Sequence, residues 1–582
     1  MKSYKNYRIK ATSTLDIVKG LISRNGEKKQ IRDYSDIQVV VLVGEMGASL
    51  SPVSCIQPVC LLSVNNRPAL FNIITKLVKQ KLKNITFIVN RFDIKIIQDF
   101  IDKTYSGLNI AYIVENNADE TLKALQRYNT ILEKSTLMIS GSVSCDLDFD
   151  YTHSFIGCVN SEEGTSPLLI NEDGTLKRIY PEEEKQKEKS FGGVCFFKDI
   201  VILKYALAKS LLLPGKGKWS FWRLINHYNS SIKLKCVPLT NWYDAKDLES
   251  YVKAMRQNIN GRCFNSFNMD DFGVITKRST EKKLLTEMHW LEQIAKTPLA
   301  HFCPHYLGRA EGEGYGYKME YLEYLSLAEY FTYYDISNES WRYIFENLLT
   351  CAKKIWDYEK PKDFDIIKRS AQIYETKTDQ RTANWERQDL LSLKSVCVNG
   401  NLLFGYNECR TLLADRIKQL SESSADYCGV LHGDMCFGNI LYAPKSCTFK
   451  FIDPRGDFGG ETIYGDVRYD AAKMRHNYHG LFDYITNDLF DIVQSGIATF
   501  KYSFYSSHLP DYRTFDNLLV KHGFDIDDIE LIEGLLFISM IPLHSDNKQR
   551  QMMFFLTALE CLNNQIKKNS GNIKCEGFSF KK

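Results

Sequence analysis

The stretch that most constrains this chain runs from Leu431 to Asp470, LHGDMCFGNILYAPKSCTFKFIDPRGDFGGETIYGDVRYD. It holds two short clusters: His432-Gly433-Asp434 with Asn439, and Asp453-Pro454-Arg455-Gly456. Turn residues (Ala443, Pro444, Lys445, Ser446) and an alternating run, Thr448 to Ile452, separate them. The pattern predicts a loop carrying Asp434, a short strand, a turn, and a second strand that delivers Asp453 at its end.

Those residue types at those spacings suit phosphoryl transfer, which needs positioning and charge neutralisation more than covalent help from the protein. An aspartate must orient the attacking hydroxyl and accept its proton. An Asn five residues later reaches a Mg²⁺ from the same loop, and a second aspartate on a neighbouring strand end holds metal that bridges the nucleotide phosphates. Mg²⁺ prefers hard oxygens and keeps several waters, so one carboxylate and one amide oxygen suffice.

HGD, an Asn five residues beyond the Asp, and IDPRG together resemble the aminoglycoside phosphotransferase and choline kinase family, the small-molecule branch of the protein-kinase-like fold. The resemblance implies Asp434 as catalytic base, Asn439 and Asp453 as metal ligands, and ATP and Mg²⁺ as cofactors. It implies an α+β two-lobed domain.

The N-terminal half reads differently. Residues 1 to 35 are polar, with one amphipathic piece, Thr14 to Ile22, and no signal-peptide pattern. Ile37 to Val43 is a near-continuous apolar run, as expected of a buried parallel strand. A loop and helix follow, then a second strand at Ile85 to Val89; this alternation predicts an α/β doubly wound mixed sheet. Gly44, Gly47, Leu50, Pro58, Leu61, Leu62, Val64, Pro68 and Leu70 match the opening signature of the sugar-nucleotide nucleotidyltransferases, which this half resembles. Glu115 to Leu125, Leu137 to Phe149, Asn171 to Ile179 and Asn241 to Leu248 fall where that family places its later segments. Several family residues are replaced: the loop Arg by Ser49, the Lys after Pro by Val59, a glycine by Glu120, and the first metal-binding Asp by Ser142. Asp244, in the second metal position, remains. Loss of two cations and a metal ligand removes the electrostatic stabilisation that nucleotidyl transfer depends on. Residues 36–258 are therefore expected to be a nucleotidyltransferase-like domain that does not transfer nucleotides. It either binds a sugar or sugar nucleotide, or only docks the next domain.

Residues 259–582 are expected to be the phosphotransferase domain, with an N-lobe over 259–324 and a C-lobe over 325–582. Asn258 to Gly261 reads as the boundary turn. Phe272 to Arg278 alternates as a strand, and Lys277 lies where a kinase-like third strand carries the lysine for the α/β phosphates. Arg278 points to the opposite face. Ser279-Thr280 with Glu281 is expected to cap the next helix, on which Leu284, Leu285, Met288 and Leu291 form an apolar face and Glu287 pairs with Lys277. No GxGxxG precedes Lys277, so Asn265, Ser266 and Asn268 are the candidate phosphate donors. Tyr315 to Tyr324 reads as a strand entering the hinge; the family layout implies that backbone groups from Glu320 to Leu322 hold the adenine. Helices are expected at 338–358, 384–395 and 408–422. The cluster Tyr374 to Thr378 with Arg381 reads as a solvated helix face, Asp470 as an N-cap or a brace for the catalytic loop, and His432 as a loop-ordering residue.

Net charge is only +3 and no basic block occurs, which argues against nucleic acid as the main partner. Sixteen scattered cysteines without a CxxC pair suit a reducing cytoplasm. The longest apolar candidate, Leu531 to Leu543, is too short to span a membrane and contains Glu533. The expectation is a cytoplasmic small-molecule kinase acting on a sugar or amino alcohol, in the setting of surface polysaccharide assembly. Its rivals are a bifunctional kinase and nucleotidyltransferase, and a silent kinase-shaped scaffold.

Overall fold

The computed structural model describes residues 34–569, apart from 35, 44–49, 56, 116–120, 128–131, 161–165, 181–188, 213–217, 258–264, 507 and 510. The lead segment up to residue 33, Gly44, Gly47, Ser49, Glu120 and the boundary turn at 258–261 therefore lie outside the described residues. The chain divides into two compact units, the first comprising residues 34–102 and 107–269, the second 270–569 with 103–106.

The first unit is an α/β domain built on a mixed sheet. The strands that bear on the fold and the site include β1 (Ile37–Leu42), β2 (Asn84–Asn90), β3 (Ile110–Glu115), β4 (Ser135–Ser140), β5 (Val143–Ser144), β6 (Phe155–Asn160), β7 (Pro167–Ile170), β8 (Leu176–Ile179), β9 (Lys189–Phe197), β10 (Lys235–Pro238) and β11 (Tyr243–Asp244), with β5 and β11 paired apart from the main sheet. The main order is β8-β7-β9-β4-β1-β2-β3, with β6 lying between β9 and β10. β1 runs parallel to both β2 and β4, whereas β9 is antiparallel to β4, β6 and β7. Parallel strands with both faces covered need apolar side chains on both faces, which is why Val39, Val40 and Val41 are all fully buried. Helix α1 (Ala69–Lys79) buries Leu70, Phe71, Ile73, Ile74 and Leu77; each large apolar side chain contributes about 1.5–3 kcal/mol. β7 and β8 form a hairpin joined by Asn171 to Thr175, within the segment the resemblance marked.

The second unit opens on a strand, β12 (Val274–Ser279), followed by helix α2 (Lys283–Ile294), β13 (Tyr306–Arg309) and β14 (Tyr315–Glu320). β14 pairs antiparallel with both β12 and β13. Helical structure then dominates, including α3 (Asn338–Trp356), α4 (Arg468–Tyr478), α5 (Ile526–Met540) and α6 (Lys548–Asn569). Short strands sit among the helices, and four of them frame the predicted loop. β15 (Cys428–Val430) pairs with β18 (Tyr464–Asp466), and the hairpin β16 (Ile440–Ala443) with β17 (Thr448–Phe451) carries the predicted loop-strand-turn-strand pattern.

Several sequence expectations are corrected. Residues 384–395 are not one helix: only Gln388–Leu391 is helical, and Ser395–Val398 is a strand. Residues 408–422 form two helices, Tyr406–Leu412 and Ala414–Glu422. Helix α2 starts too late for Ser279-Thr280 to cap it; Ser279 Oγ instead accepts from the Glu281 N–H in the preceding turn. Asn265–Met269, which holds the candidate phosphate donors, is a strand, so these residues do not form a phosphate-covering loop of their own. The Tyr374 cluster is not a solvated face: Tyr374 is buried and its hydroxyl donates to Asp466 at 2.9 Å, while Arg381 donates to the Ser539 carbonyl. Glu533 lies in α5, fully buried and paired with Arg475. No helix among the described residues is long and apolar enough to cross a membrane.

Candidate functional site

The second unit brings three of the sequence-predicted residues, Lys277, Glu287 and Asp453, into contact. Strand β12 alternates inward and outward, so Lys277 turns inward, with only 2% of its surface exposed, while Arg278 turns out toward the carbonyls of Glu311 and Glu313. Lys277 Nζ meets Glu287 Oε1 at 2.6 Å and Asp453 Oδ1 at 3.1 Å. Burial by itself would push the ammonium down, but the Asp453 and Glu287 carboxylates beside it hold it above its ordinary value. Tyr317 on β14 donates to Glu287 at 2.6 Å. Helix α2 is tied to the loop by two more bonds: Thr286 Oγ1 donates to the Arg455 carbonyl and Trp290 Nε1 to the Leu431 carbonyl.

Asp453 sits at the end of β17 with φ +55°, a left-handed conformation that a non-glycine residue adopts only when its surroundings enforce it. Gly456, three residues on, has φ +61°, and a Cβ there would stand 1.9 Å from the Thr286 carbonyl oxygen. The DPRG turn therefore needs its glycine twice, for backbone angle and for room.

Asp434 lies in the loop before β16. Asn439 Nδ2 donates to its backbone carbonyl at 2.9 Å and to Oδ2 at 3.3 Å. With its nitrogen committed there, Asn439 keeps its amide oxygen for another partner. Asp470 accepts from the His432 and Gly433 N–H groups at 2.9 and 2.8 Å and from Trp356 Nε1 at 3.2 Å. Helix α4 begins at Arg468, so Asp470 braces the loop and is not the N-cap. Burial pushes its carboxyl up to about 7, against the three donors. His432 is fully buried, and burial brings its imidazole down to about 4, leaving it neutral; its Nδ1 accepts from the Asp434 N–H at 3.4 Å.

Of the expected adenine-holding residues, Glu320 is committed elsewhere. Its N–H donates to the His305 carbonyl and its carboxylate accepts from the His305 N–H. The Tyr321 N–H goes to the Gly273 carbonyl. Leu322 lies two residues past the end of the strand.

One residue escaped the sequence reading. Lys473 of α4 places Nζ 3.0 Å from Asp434 Oδ1. A signal was present: every residue of α4 is buried although Arg468, Asp470, Lys473, Arg475 and His476 are ionisable, and such residues are seldom buried without partners.

In the first unit, Ser142 Oγ donates to Asp244 Oδ1 at 2.6 Å and lies 3.0 Å from Ser140 Oγ. β5 and β11 pair at this point, Val143 against Asp244. Gly141 packs so tightly on the end of β1 that a Cβ would stand 2.4 Å from Val43 Cγ1. Trp242 Nε1 donates to the Gly192 carbonyl. Val59, where the resemblance expects a lysine, packs on the small apolar cluster of Leu50, Leu62 and Val64. Among the described residues, Asp244 accepts from a hydroxyl at the place where the resemblance expects a pair of metal-binding carboxylates. Among the described residues no group of three His, Cys, Asp or Glu side chains is arranged for a metal.

Residues 38–164 match the nucleotidyl transferase family. Among solved structures, similarity extends to a protein described as a glucose-1-phosphate thymidylyltransferase from Bacillus anthracis, in complex with sucrose (16% identity, 39% of this chain, 96% of that one, TM-score 0.34). It extends also to the CTP:phosphocholine cytidylyltransferase of Streptococcus pneumoniae (16%, 38%, 98%, 0.32). A third is an apo UDP-glucose pyrophosphorylase (12%, 38%, 97%, 0.32). No curated protein matches the chain. The N-terminal unit therefore carries a nucleotidyl transferase-type α/β domain.

Proposed function

We propose that the second unit is a kinase-like phosphotransferase that moves the γ-phosphoryl group of ATP to a hydroxyl of a sugar or amino alcohol. The observation that carries this reading is the triad of Lys277, Glu287 and Asp453, in which residues 176 positions apart meet at 3.1 Å. A buried lysine between two carboxylates suits the grip on nucleotide phosphates that such transfer requires. Leu322 at the strand end offers backbone groups to the base.

Asp434 accepts the proton of the attacking hydroxyl. Asn439 through its amide oxygen and Asp453 through its carboxylate would hold Mg²⁺, and both supply the hard oxygens this ion prefers. The ion would neutralise phosphate charge. The protein's own work is to align hydroxyl and phosphate, and effective positioning of this kind supplies several kcal/mol of the barrier reduction. The test is ATP turnover over a panel of sugars, polyols and amino alcohols, with products identified by mass spectrometry. Wild type should yield a phosphorylated product and Asp434→Ala should lose at least ~100-fold in kcat. Equal inertness of the two would favour the scaffold reading.

A second reading is favoured by the family match over residues 38–164: the first unit is itself an active nucleotidyltransferase, and the chain is bifunctional. A phosphorylated product of the second unit would then be activated by the first. Ser142 in the place of a metal-binding Asp and Val59 in the place of a Lys stand against it. Pyrophosphate release from a nucleoside triphosphate and sugar phosphates, lost in Asp244→Ala, would establish the second reading.

A further inference from the structure

Helix α4 carries a polar stripe along the catalytic loop. Asp470, Lys473 and Asn477 are spaced i, i+3, i+7 and so share one face. Asp470 takes the His432 and Gly433 N–H groups, Lys473 takes Asp434 Oδ1, and Asn477 Oδ1 accepts from the Phe437 N–H at 3.0 Å. Asn477 is fixed in turn by Asp483, which accepts from its Nδ2 at 2.8 Å.

Stability alone does not account for the middle member. A buried ammonium is costly unless well paired. Apart from Asp434, the contact of Lys473 Nζ is the Met540 thioether at 3.9 Å, a weak acceptor. Asp434 has a third of its side chain open to solvent, and water could serve it without help. The pair therefore spends burial of a cation on a carboxylate that does not need it for folding. Its effect is geometric: Lys473 holds Oδ1, the Asn439 amide lies at Oδ2, and the carboxylate has one orientation.

We infer that Lys473 is a positioning residue for phosphoryl transfer, acting through Asp434 by fixing the orientation of its carboxylate toward the acceptor hydroxyl. This rests on the phosphotransferase reading of the second unit.

The test compares the full-length wild type with Lys473→Met and Lys473→Arg, reading kcat with the best acceptor and the dissociation constant for ATP by calorimetry. Lys473→Met should lower kcat by about 100-fold with ATP affinity within twofold of wild type, and Lys473→Arg, which keeps the charge, should recover about tenfold of that loss. The inference is overturned if Lys473→Met keeps kcat within threefold of wild type. It is equally overturned if Lys473→Met loses ATP binding along with kcat, or if the Arg and Met variants fall equally. A wild type that turns over no ATP with any acceptor overturns the phosphotransferase reading itself, and this role with it.

Discussion

At the level of single residues, the site's chemistry depends on side chains held where their cost is high. Lys277 is buried between Glu287 and Asp453, so replacing it strands two carboxylates. Lys277→Met should raise the KM for ATP more than tenfold and lower stability by about 3 kcal/mol, as breaking a buried pair does. Steady-state kinetics and urea unfolding would check both; an unchanged KM would remove Lys277 from the nucleotide site. Gly456→Ala forces a Cβ onto the Thr286 carbonyl at a left-handed φ. It should cost about 2–3 kcal/mol in a denaturant melt. A change below about 0.5 kcal/mol would mean that the DPRG turn relaxes freely.

At the level of elements, α4 is the wholly buried helix around which charge is organised. Arg468 bonds to Asp466 at 2.7 Å and to Asp528 at 2.6 Å, while Tyr374 adds a hydroxyl to Asp466. About two turns later Arg475 pairs with Asp516 at 2.8 Å and with Glu533 of α5. Burial alone would raise the Glu533 carboxyl, but Arg475 and His479 beside it bring it down to about 2. A carboxyl depressed in the folded state stabilises the protein above its unfolded value of about 4.5, and that contribution disappears as pH falls toward 2. Thermal melts should show stability falling between pH 5 and 3, with a shallower fall in Glu533→Gln. Identical slopes would show that other groups control acid unfolding. These charge partners are far apart in sequence, so Glu533 reads from the sequence only as a break in an apolar run. For the same reason Tyr374 and Arg381 read as a solvated face although they bond to β18 and α5.

At the level of the whole molecule, two compact units of different architecture share one chain. Differential scanning calorimetry should resolve two transitions, with Mg·ATP raising the one that belongs to the second unit; ligand at 100 times its dissociation constant stabilises by about 2.7 kcal/mol. A single transition that shifts as a whole would show that the units unfold together. In the bifunctional case, Asp434→Ala should abolish phosphorylation and leave pyrophosphate release intact, with Asp244→Ala doing the reverse.

Local pattern was enough for the α/β character of the first unit, because an apolar run bounded by turn residues has few other uses than a buried strand. It was enough also for the loop and hairpin that carry the candidates Asp434, Asn439 and Asp453, since a few turns and short strands are set by short-range geometry. The Lys277–Glu287 pair was implied by the resemblance to the kinase-like fold, with strand alternation deciding only between Lys277 and Arg278, and its 2.6 Å contact is present. What local pattern could not supply is everything fixed by packing between distant segments: the loss of Glu320 to His305, the role of Asp470 as a brace rather than a cap, and the arrival of Lys473 at Asp434. A buried charge finds its partner through the fold, and the identity of that partner is carried by tertiary contacts alone.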